Sequence, residues 1–308
     1  MKHRPWRIFL VTALAVLSYA AFGDAIRSRI GTGRHTLPDK DDALRVMTWN
    51  LRNFAGDPNR HDLQAIQATF GALQPDLVAI QEITDVDALA RLLPGWRLEL
   101  SRAGGRGGQH LGFAYRPERL ELVQPTVEHG DITLDGRVRP ALSAYFRDRQ
   151  NHLDFHAVSV HLKARPEGYA VRPKQWTALR QIVATLRPDD NDVLILGDFN
   201  VTGPKGGTPH QELAALDLEL ARGQLRRVAN PAGCTAYWDG VRRDAWKEPS
   251  ELDLIVVRGL NLWVNEDSVA LPATHCARHT CDVFRSTEAY PVPSFSDISD
   301  HCPVILDL

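Results

Sequence analysis

Residues 192–200 place an acid and an amide directly after an apolar run. The run, residues 193–196, predicts a strand that is buried on both faces. Gly197 is expected to let the backbone turn, so that Asp198 and Asn200 follow on the same side of the chain. A carboxylate can activate water next to a phosphate, and an amide can hold a phosphate oxygen. Taken alone, the stretch is more typical of a strand that ends in an Asx turn.

The same arrangement recurs along the chain. Six further side chains that suit acid–base chemistry or metal binding lie at an end of an apolar strand or inside one: Asn50, Glu82, His161, Asp253, Asp300 and His301. Each has a simpler explanation when considered singly, such as a solvated loop acid or a surface histidine. Because ligand sites in α/β sheets form at strand ends, the recurrence predicts one shared site.

Strands alternate with helices and with hairpin-like strand pairs. Apolar stripes and caps predict helices at residues 62–73, 85–93 and 173–186 and near 211–216. Predicted strands span residues 45–49, 77–80, 97–100, 111–115, 120–123, 141–146, 153–160, 193–196, 252–257 and 302–306. This order argues for an α/β sandwich.

Six short motifs follow one another in a specific order: Trp-Asn-Leu-Arg, Gln-Glu-Ile, His-Leu-Lys, Gly-Asp-Phe-Asn, Leu-Asp-Leu-Ile and Ser-Asp-His-Cys-Pro. From about Arg45 onward, this set resembles the endonuclease/exonuclease/phosphatase family, and most of all its deoxyribonuclease I branch. The resemblance implies an α/β fold, a four-layer sandwich of two packed mixed β-sheets flanked by helices. It also implies a cleft at one end that cleaves phosphate esters with Mg2+, or with Mn2+ or Ca2+ in its place.

The resemblance assigns roles to the acids and amides. Glu82 would be the principal metal ligand, assisted by Asn50 and Asp300. A hard cation held by carboxylates stabilises the charge that builds on a phosphate during in-line attack. Asp198 would orient or deprotonate the attacking water, and Asn200 would hold a phosphate oxygen.

Two histidines and an arginine complete the set. His301 would lie against the phosphate, with Asp253 fixing its tautomer and raising its pKa. His161 would act as general acid or as a donor to the phosphoryl oxygen, and Arg139 matches an arginine that contacts the phosphate. Which of Asp198, His161 and His301 carries the proton stays open at this point.

Two positions depart from the deoxyribonuclease I branch. Gln109 stands where that branch has an acid partner for its second histidine, and it can orient His161 without stabilising the cation. Thr84 replaces an arginine that reads the DNA minor groove, and the other groove contact falls in the glycine-rich loop 104–108. We therefore expect intact catalysis and altered binding of duplex DNA. Three cations are candidates for replacement phosphate contacts: Arg102, Arg106 and Lys205.

The chain has 308 residues, of which 44% are hydrophobic, enough for one domain of ~250 residues that we assign to 45–308. Residues 1–23 combine three basic residues with a short apolar run, which favours a cleaved signal peptide over an uncleaved membrane anchor. Residues 24–44 predict a linker. Removal of the three positive charges in 1–23 takes the net charge from -2 to -5, which excludes a general polyanion-binding surface.

The four cysteines, Cys234, Cys276, Cys281 and Cys302, favour two disulfides in an exported protein, with three possible connectivities. The short loop favours Cys276–Cys281, which leaves Cys234–Cys302. Zinc binding is the alternative, but the chain has neither a CxxC pair nor histidines at ligand spacing.

The leading hypothesis is an exported, periplasmic or secreted, metal-dependent phosphodiesterase, most of all an endonuclease acting on DNA or RNA. The alternative is a phosphatase or phospholipase C-like enzyme with a sphingomyelin, phosphoinositide or nucleotide substrate. A catalytically dead binding protein is disfavoured because every core catalytic residue type is present. No stable protein partner is implied, and we expect a monomer.

Overall fold

The computed structural model describes residues 40, 42–186, 190–239, 244–261 and 263–308. The predicted signal peptide, 1–23, and most of the predicted linker, 24–44, lie outside the described residues. Within them, no helix combines the length and apolar character that crossing a membrane requires. Leu44 is fully buried and exchanges two backbone hydrogen bonds with Leu308, at 2.9 and 3.0 Å. The folded domain therefore includes the last residue of the predicted linker.

Two six-stranded sheets form the centre of the described chain. From edge to edge, the first contains β13 (Leu271–Pro272), β15 (Val304–Asp307), β1 (Arg45–Phe54), β2 (Leu77–Ile83), β4 (His110–Tyr115) and β3 (Arg97–Leu100). The second contains β5 (Leu120–His129), β6 (Ala141–Asp148), β7 (Asp154–His161), β8 (Val193–Asp198), β12 (Asp253–Arg258) and β9 (Arg226–Arg227). In each sheet one pair is parallel, β1 with β2 and β7 with β8, and the other neighbours are antiparallel.

The two sheets pack face to face through an apolar layer. In this layer Phe113 from the first sheet meets Phe146 from the second edge to face, with ring centroids 5.7 Å apart. The outer faces are covered by helices, α1 (Leu63–Leu73) and α2 (Val86–Leu92) on the first sheet and α3 (Arg172–Thr185) and α4 (Pro209–Ala221) on the second. The predicted four-layer α/β sandwich is confirmed.

Caps in the sequence determine where the helices begin. Asp62 caps α1 by accepting a hydrogen bond from the N–H of Ala65 at 2.9 Å. A capping box of Thr208 and Gln211 precedes α4, with Pro209 at its first position. The predicted helix near 211–216 is too short at both ends, and the unrecognised box explains only the missing start.

Gly197 does not turn the chain, contrary to the sequence-based expectation. β8 continues through Gly197 to Asp198 and stays paired with β7 and β12. Gly197 has a φ of 148°, and a Cβ atom there would lie 2.0 Å from the backbone oxygen of Val160 on β7. Glycine is required because the two strands approach so closely. Asp198 is therefore held inside a hydrogen-bonded ladder.

A small third sheet completes the C-terminal part of the described chain. It consists of β10 (Ala236–Trp238), β11 (Trp246–Ser250) and β14 (Phe284–Arg285). The short helix α5 (Thr274–His279) and a π-helical turn, Ser294–Ile298, contribute to the apolar cluster beside this sheet. Both disulfides lie in the same cluster.

The predicted disulfide pairing is wrong, because the bonds join Cys234 to Cys281 and Cys276 to Cys302. Cys276 lies inside α5 and is fully buried, whereas Cys281 follows the left-handed residue Thr280 that ends the helix. A helix end separates the two cysteines that are close in sequence, so each meets a distant partner. With all four sulfurs in disulfides, none can bind zinc.

Replacing Gly197 with alanine should lower the free energy of unfolding by at least about 2 kcal/mol, since the methyl group would force β8 away from β7. Thermal and urea unfolding would measure the loss. Gly71→Ala in α1 is the matched control, because a Cβ atom there meets nothing within 4 Å and alanine favours a helix. Equal stability of the two variants would contradict the close approach.

The Cys276→Ala/Cys302→Ala variant should be about 2–4 kcal/mol less stable in urea unfolding, because a cross-link between residues 26 positions apart is lost. Peptide mapping of the unreduced protein should recover Cys234 linked to Cys281. Recovery of a Cys276–Cys281 peptide would contradict the connectivity.

Candidate active site

Side chains from both sheets meet at one edge of the sandwich. Asn50, Glu82, His161 and Asp198 lie at or near the carboxyl ends of β1, β2, β7 and β8, in that order. Arg139, Asp253 and His301 lie near the amino ends of the antiparallel strands β6, β12 and β15. The ladders set the neighbours, since His161 is the register partner of Asp198, and Asp198 is that of Asp253. The structure thus brings these seven predicted residues together.

Glu82 reaches the site from a bulge in β2. The pairing of β2 with β4 shifts register between Ile80 and Ile83, and Glu82 has a φ of 61°. Such left-handed backbone costs a non-glycine residue roughly 1–3 kcal/mol, and bulges beside active sites re-aim side chains. The Glu82 carboxylate accepts hydrogen bonds from the Asn53 backbone N–H at 2.9 Å and from Asn50 Nδ2 at 3.2 Å.

Asn50 lies between two carboxylates. Its Nδ2 is 3.2 Å from Glu82 Oε1 and also 3.2 Å from Asp198 Oδ2. Its backbone oxygen accepts a 2.7 Å hydrogen bond from Ser299 Oγ, which in turn accepts one from the backbone N–H of His301 at 3.1 Å. Ser299 therefore links the loop that carries His301 to β1.

His301 is oriented by Asp253, as the resemblance implies. Its Nδ1 lies 2.8 Å from Asp253 Oδ2, and its Nε2 lies 3.9 Å from Asp198 Oδ2. Burial opposes the charged form, but the charge and hydrogen bond of Asp253, with the charges of Asp198 and Asp300, raise the pKa of His301 well above its ordinary value. The ring is therefore an imidazolium at neutral pH.

Asp198 is fully buried at the centre of the cluster. Burial raises the pKa of Asp198 to about 7, with Asp253 and Glu82 adding to the rise and His301 opposing it. The backbone N–H of Asn200 donates to Asp198 Oδ1 at 2.8 Å. A carboxyl group with this pKa is suited to exchange a proton near neutral pH.

Asn200 also connects two loops. Its Nδ2 donates to the backbone oxygen of Leu162 at 3.2 Å, and its backbone is left-handed, with a φ of 53°. One N–H of the amide is thus committed to the loop after β7. The second N–H is the one that can serve a phosphate oxygen.

Arg139 and His161 face each other at the other side of Asp198. Arg139 Nη2 is 3.0 Å from His161 Nε2, which is also 3.2 Å from Asp198 Oδ2. Burial first, and then the charges of Arg139 and His301, lower the pKa of His161 well below its ordinary value. A neutral His161 is poorly suited to be the general acid. Because a guanidinium only donates, His161 Nε2 accepts the hydrogen bond from Arg139, and its predicted role as a donor to the phosphoryl oxygen would require the other tautomer.

Gln109 acts on Arg139 and not directly on His161. Its Oε1 accepts from Arg139 Nη1 at 3.3 Å, and its Nε2 donates to Asn53 Oδ1 at 2.7 Å. Among the described residues, no hydrogen bond joins Gln109 to His161. The expectation that Gln109 orients the imidazole is therefore corrected, because Arg139 occupies that position.

The oxygen donors at this edge fit a hard divalent cation. The half-buried Glu82 carboxylate supplies oxygens that Mg2+ prefers, whereas Asn50 turns its Nδ2 toward Glu82 and its Oδ1 accepts the backbone N–H of Arg52 at 3.0 Å. Asp300 is the outlying member, since its carboxylate is about one-third exposed and lies 3.8 Å from Arg52 Nε. Glu82 would hold the metal, and Asn50 would join it only with its amide turned so that Oδ1 faces Glu82. Asp300 shares its charge with Arg52.

Arg52, Asn53 and Ser299 are site residues to which sequence reasoning assigned no role. Each contacts a predicted residue: Arg52 pairs with Asp300, Asn53 with Glu82, and Ser299 with the backbones of Asn50 and His301. Their signal was their position inside the motifs Asn-Leu-Arg-Asn and Ser-Asp-His.

Exposed loops form the rim of the site. Thr84 is exposed, and its hydroxyl donates to the backbone oxygen of Phe54 at 2.8 Å. The predicted phosphate contacts Arg102, Arg106 and Lys205 are all exposed, and Arg102 lies 3.5 Å from Glu128. The backbone N–H of Arg106 donates to the oxygen of Arg137, so the glycine-rich loop lies against the segment that carries Arg139.

Comparison with solved structures finds the same fold in other proteins. D. rerio TDP2 complexed with single strand DNA product is 14% identical, with a TM-score of 0.60 over 87% of this chain and 99% of that chain. A Bacteroides thetaiotaomicron mannosyl-6-phosphatase is 20% identical, with a TM-score of 0.59 over 85% and 98%. The human Nocturnin catalytic domain with bound sulfate is 18% identical, with a TM-score of 0.56 over 86% and 93%.

Comparison with curated protein sequences gives no significant match. A family model described as the endonuclease/exonuclease/phosphatase family matches residues 47–301, which contain every residue of the cluster. The chain therefore belongs to the endonuclease/exonuclease/phosphatase family.

Proposed function

We propose that this phosphoesterase is an exported, Mg2+-dependent nuclease that hydrolyses phosphodiester bonds in DNA or RNA. The observation that carries the proposal is the convergence of Glu82, Asp198, His301 and Arg139 at one edge of the sandwich, with hydrogen-bonded partners for each. Hydrolysis of a phosphate ester requires a carboxyl group with a pKa near neutral pH, cationic side chains that face the phosphate, and oxygen ligands for a metal.

The residues divide the work by their contacts. Asp198 orients and deprotonates the attacking water, because its pKa of about 7 matches that task. His301, held in one tautomer by Asp253, donates its Nε2–H to the phosphate and stabilises the charge that develops there. Arg139 donates to another phosphate oxygen, and its hydrogen bond to His161 Nε2 holds the guanidinium in place. A cation at Glu82 would supply Lewis-acid stabilisation of the same charge.

The rim favours a polymeric substrate. Arg106 and Arg137 are exposed on two loops that touch, and Arg137 lies two residues before Arg139. Cations beside the scissile position suit the next phosphate of a nucleic acid backbone. With Thr84 in place of an arginine, single-stranded substrates are favoured over the minor groove of a duplex. The similarity to TDP2 in complex with single strand DNA product supports this direction.

A second candidate substrate is a small phosphate ester or a phospholipid head group. The negative net charge of residues 24–308 and the likeness to a mannosyl-6-phosphatase favour it. Hydrolysis of such a substrate would use the same catalytic cluster, and the substrate would differ from a nucleic acid only in its contacts with the rim loops.

Glu82→Ala, Asp198→Ala and His301→Ala should each lower hydrolysis of single-stranded and plasmid DNA at least ~100-fold, because each removes a charge that faces the phosphate or the metal. EDTA should abolish the wild-type activity, and Mg2+ should restore it. Gel assays and a bis-p-nitrophenyl phosphate assay would measure the rates.

His152→Ala is the control, since His152 is an exposed histidine on the turn before β7. Full activity of the Glu82, Asp198 or His301 variants would refute the assignment of the site. Hydrolysis of sphingomyelin, phosphoinositides or nucleotides, without cleavage of nucleic acid, would instead favour the second substrate class.

Expression of the full chain in a bacterium should release a protein that lacks about the first 23 residues, since the basic start and short apolar run are typical of a cleaved signal peptide. Intact-mass measurement of the periplasmic fraction and medium would identify the cleavage site. A full-length protein retained in the membrane fraction would contradict cleavage and favour the uncleaved anchor.

A further inference from the structure

Arg172, the first residue of α3, carries a guanidinium that is fully buried. All five of its N–H groups have acceptors: both Glu212 oxygens, the backbone oxygens of Lys163 and Arg165, and the hydroxyl of Thr202. The last three bonds measure 2.8, 2.9 and 3.0 Å. Because every N–H of the guanidinium has an acceptor, this position requires the shape of an arginine as well as its charge.

The acceptors belong to the two loops that leave the catalytic strands. Lys163 and Arg165 follow β7, which ends in His161, and Thr202 follows β8, which ends in Asp198. Glu212 also accepts the backbone N–H of Gly203 at 2.8 Å. Arg172 and Glu212 together therefore tie both loops to the first turns of α3 and α4.

The loops adopt backbone conformations that need such support. Arg165 has a φ of 73° and a ψ of 160°, a region that costs a residue with a side chain roughly 1–3 kcal/mol. A Cβ atom at Gly168 would lie 2.6 Å from the Lys163 oxygen and 2.7 Å from Arg172 Nη1. The lack of a side chain at Gly168 leaves room for the guanidinium, and the backbone strain lies at Arg165.

Gln175, one turn further along α3, extends the same network. Its side-chain oxygen accepts the Lys163 N–H at 2.9 Å, and its Nε2 donates to the Ile132 oxygen at 2.9 Å. Ile132 lies in the segment that leads to Arg139. One helix start is therefore linked to all three segments that carry Arg139, His161 and Asp198.

Stability alone is a poor explanation for this pair. Burying both charges costs desolvation free energy, and apolar residues of similar volume often replace a buried ion pair with no loss of stability. Apolar side chains would not supply directed bonds to the two loops. The pair thus provides a fixed spacing between loops that an apolar contact would leave free to shift.

We propose that Arg172 and Glu212 are positioning residues. They hold the loops after β7 and β8 at a fixed distance from each other, so that His161 Nε2 stays within 3.2 Å of Asp198 Oδ2. They touch no reacting atom. The inference rests on the proposed hydrolysis for its kinetic readout only.

The test replaces the clamp with an apolar pair, Arg172→Met/Glu212→Leu. The thermal midpoint should fall, because the loop oxygens and the Gly203 N–H lose their partners. At temperatures where the variant is folded, kcat for bis-p-nitrophenyl phosphate should fall about 100-fold with little change in KM, because a shift of about 1 Å misplaces the reacting groups. Arg172→Lys should give an intermediate kcat, since an ammonium keeps the charge but has three donors on one atom.

The chain offers a matched control in Arg119 and Asp148, a second buried ion pair with two parallel hydrogen bonds of 2.7 and 2.9 Å. Asp148 ends β6, at the opposite end of the sheet from His161. Arg119→Met/Asp148→Leu should therefore leave kcat unchanged. A wild-type kcat in the Arg172/Glu212 variant, or an equal loss in both variants, would overturn the proposal.

Hydrogen exchange provides a readout that needs no activity. Amide exchange in residues 162–165 and 201–203 should accelerate in the clamp variant and in the milder Thr202→Val. The Thr202 variant removes one acceptor and serves if the double variant does not fold. Unchanged exchange in these segments would overturn the clamp. A wild-type protein that hydrolyses no phosphate ester would refute the proposed function, and exchange would then decide the clamp separately.

Discussion

Burial of two carboxylates at the end of an apolar sandwich is the constraint around which the described structure is arranged. Asp198 and Asp253 are almost completely shielded from solvent, and isolated buried charges are costly. His301 compensates both carboxylates, and the guanidinium of Arg139 and the amide of Asn50 compensate Asp198. The groups that make the burial tolerable are also those that face the phosphate, so stability and chemistry share the same contacts.

Neither sheet contains the site by itself. The first sheet and the loop before β15 supply Asn50, Glu82 and His301, and the second supplies His161, Asp198 and Asp253. The distances across the cluster therefore depend on how the apolar layer between the sheets is packed. A protein interior packs at crystal-like density and deforms little, which suits a site that tolerates small errors poorly.

Apolar runs predicted an α/β sandwich with polar groups at its strand ends, and the family resemblance carried by the ordered motifs added the four layers and the assignment of Arg139. What the pattern did not reveal depends on backbone detail. Glu82 is aimed by a bulge, Gly197 serves close approach of strands, and α5 separates Cys276 from Cys281. The contact of Gln109 with Arg139 likewise could not be predicted from the sequence, since it joins residues 30 positions apart.

The hydrogen bond from Ser299 to the backbone of Asn50 joins residues 249 positions apart. Closing so long a loop costs chain entropy, so this contact depends on the rest of the fold and not on local structure. A fragment that stops short of Ser299, or one that starts beyond Asn50, contains only part of the cluster. Incomplete or proteolysed chains are consequently expected to lack phosphoesterase activity.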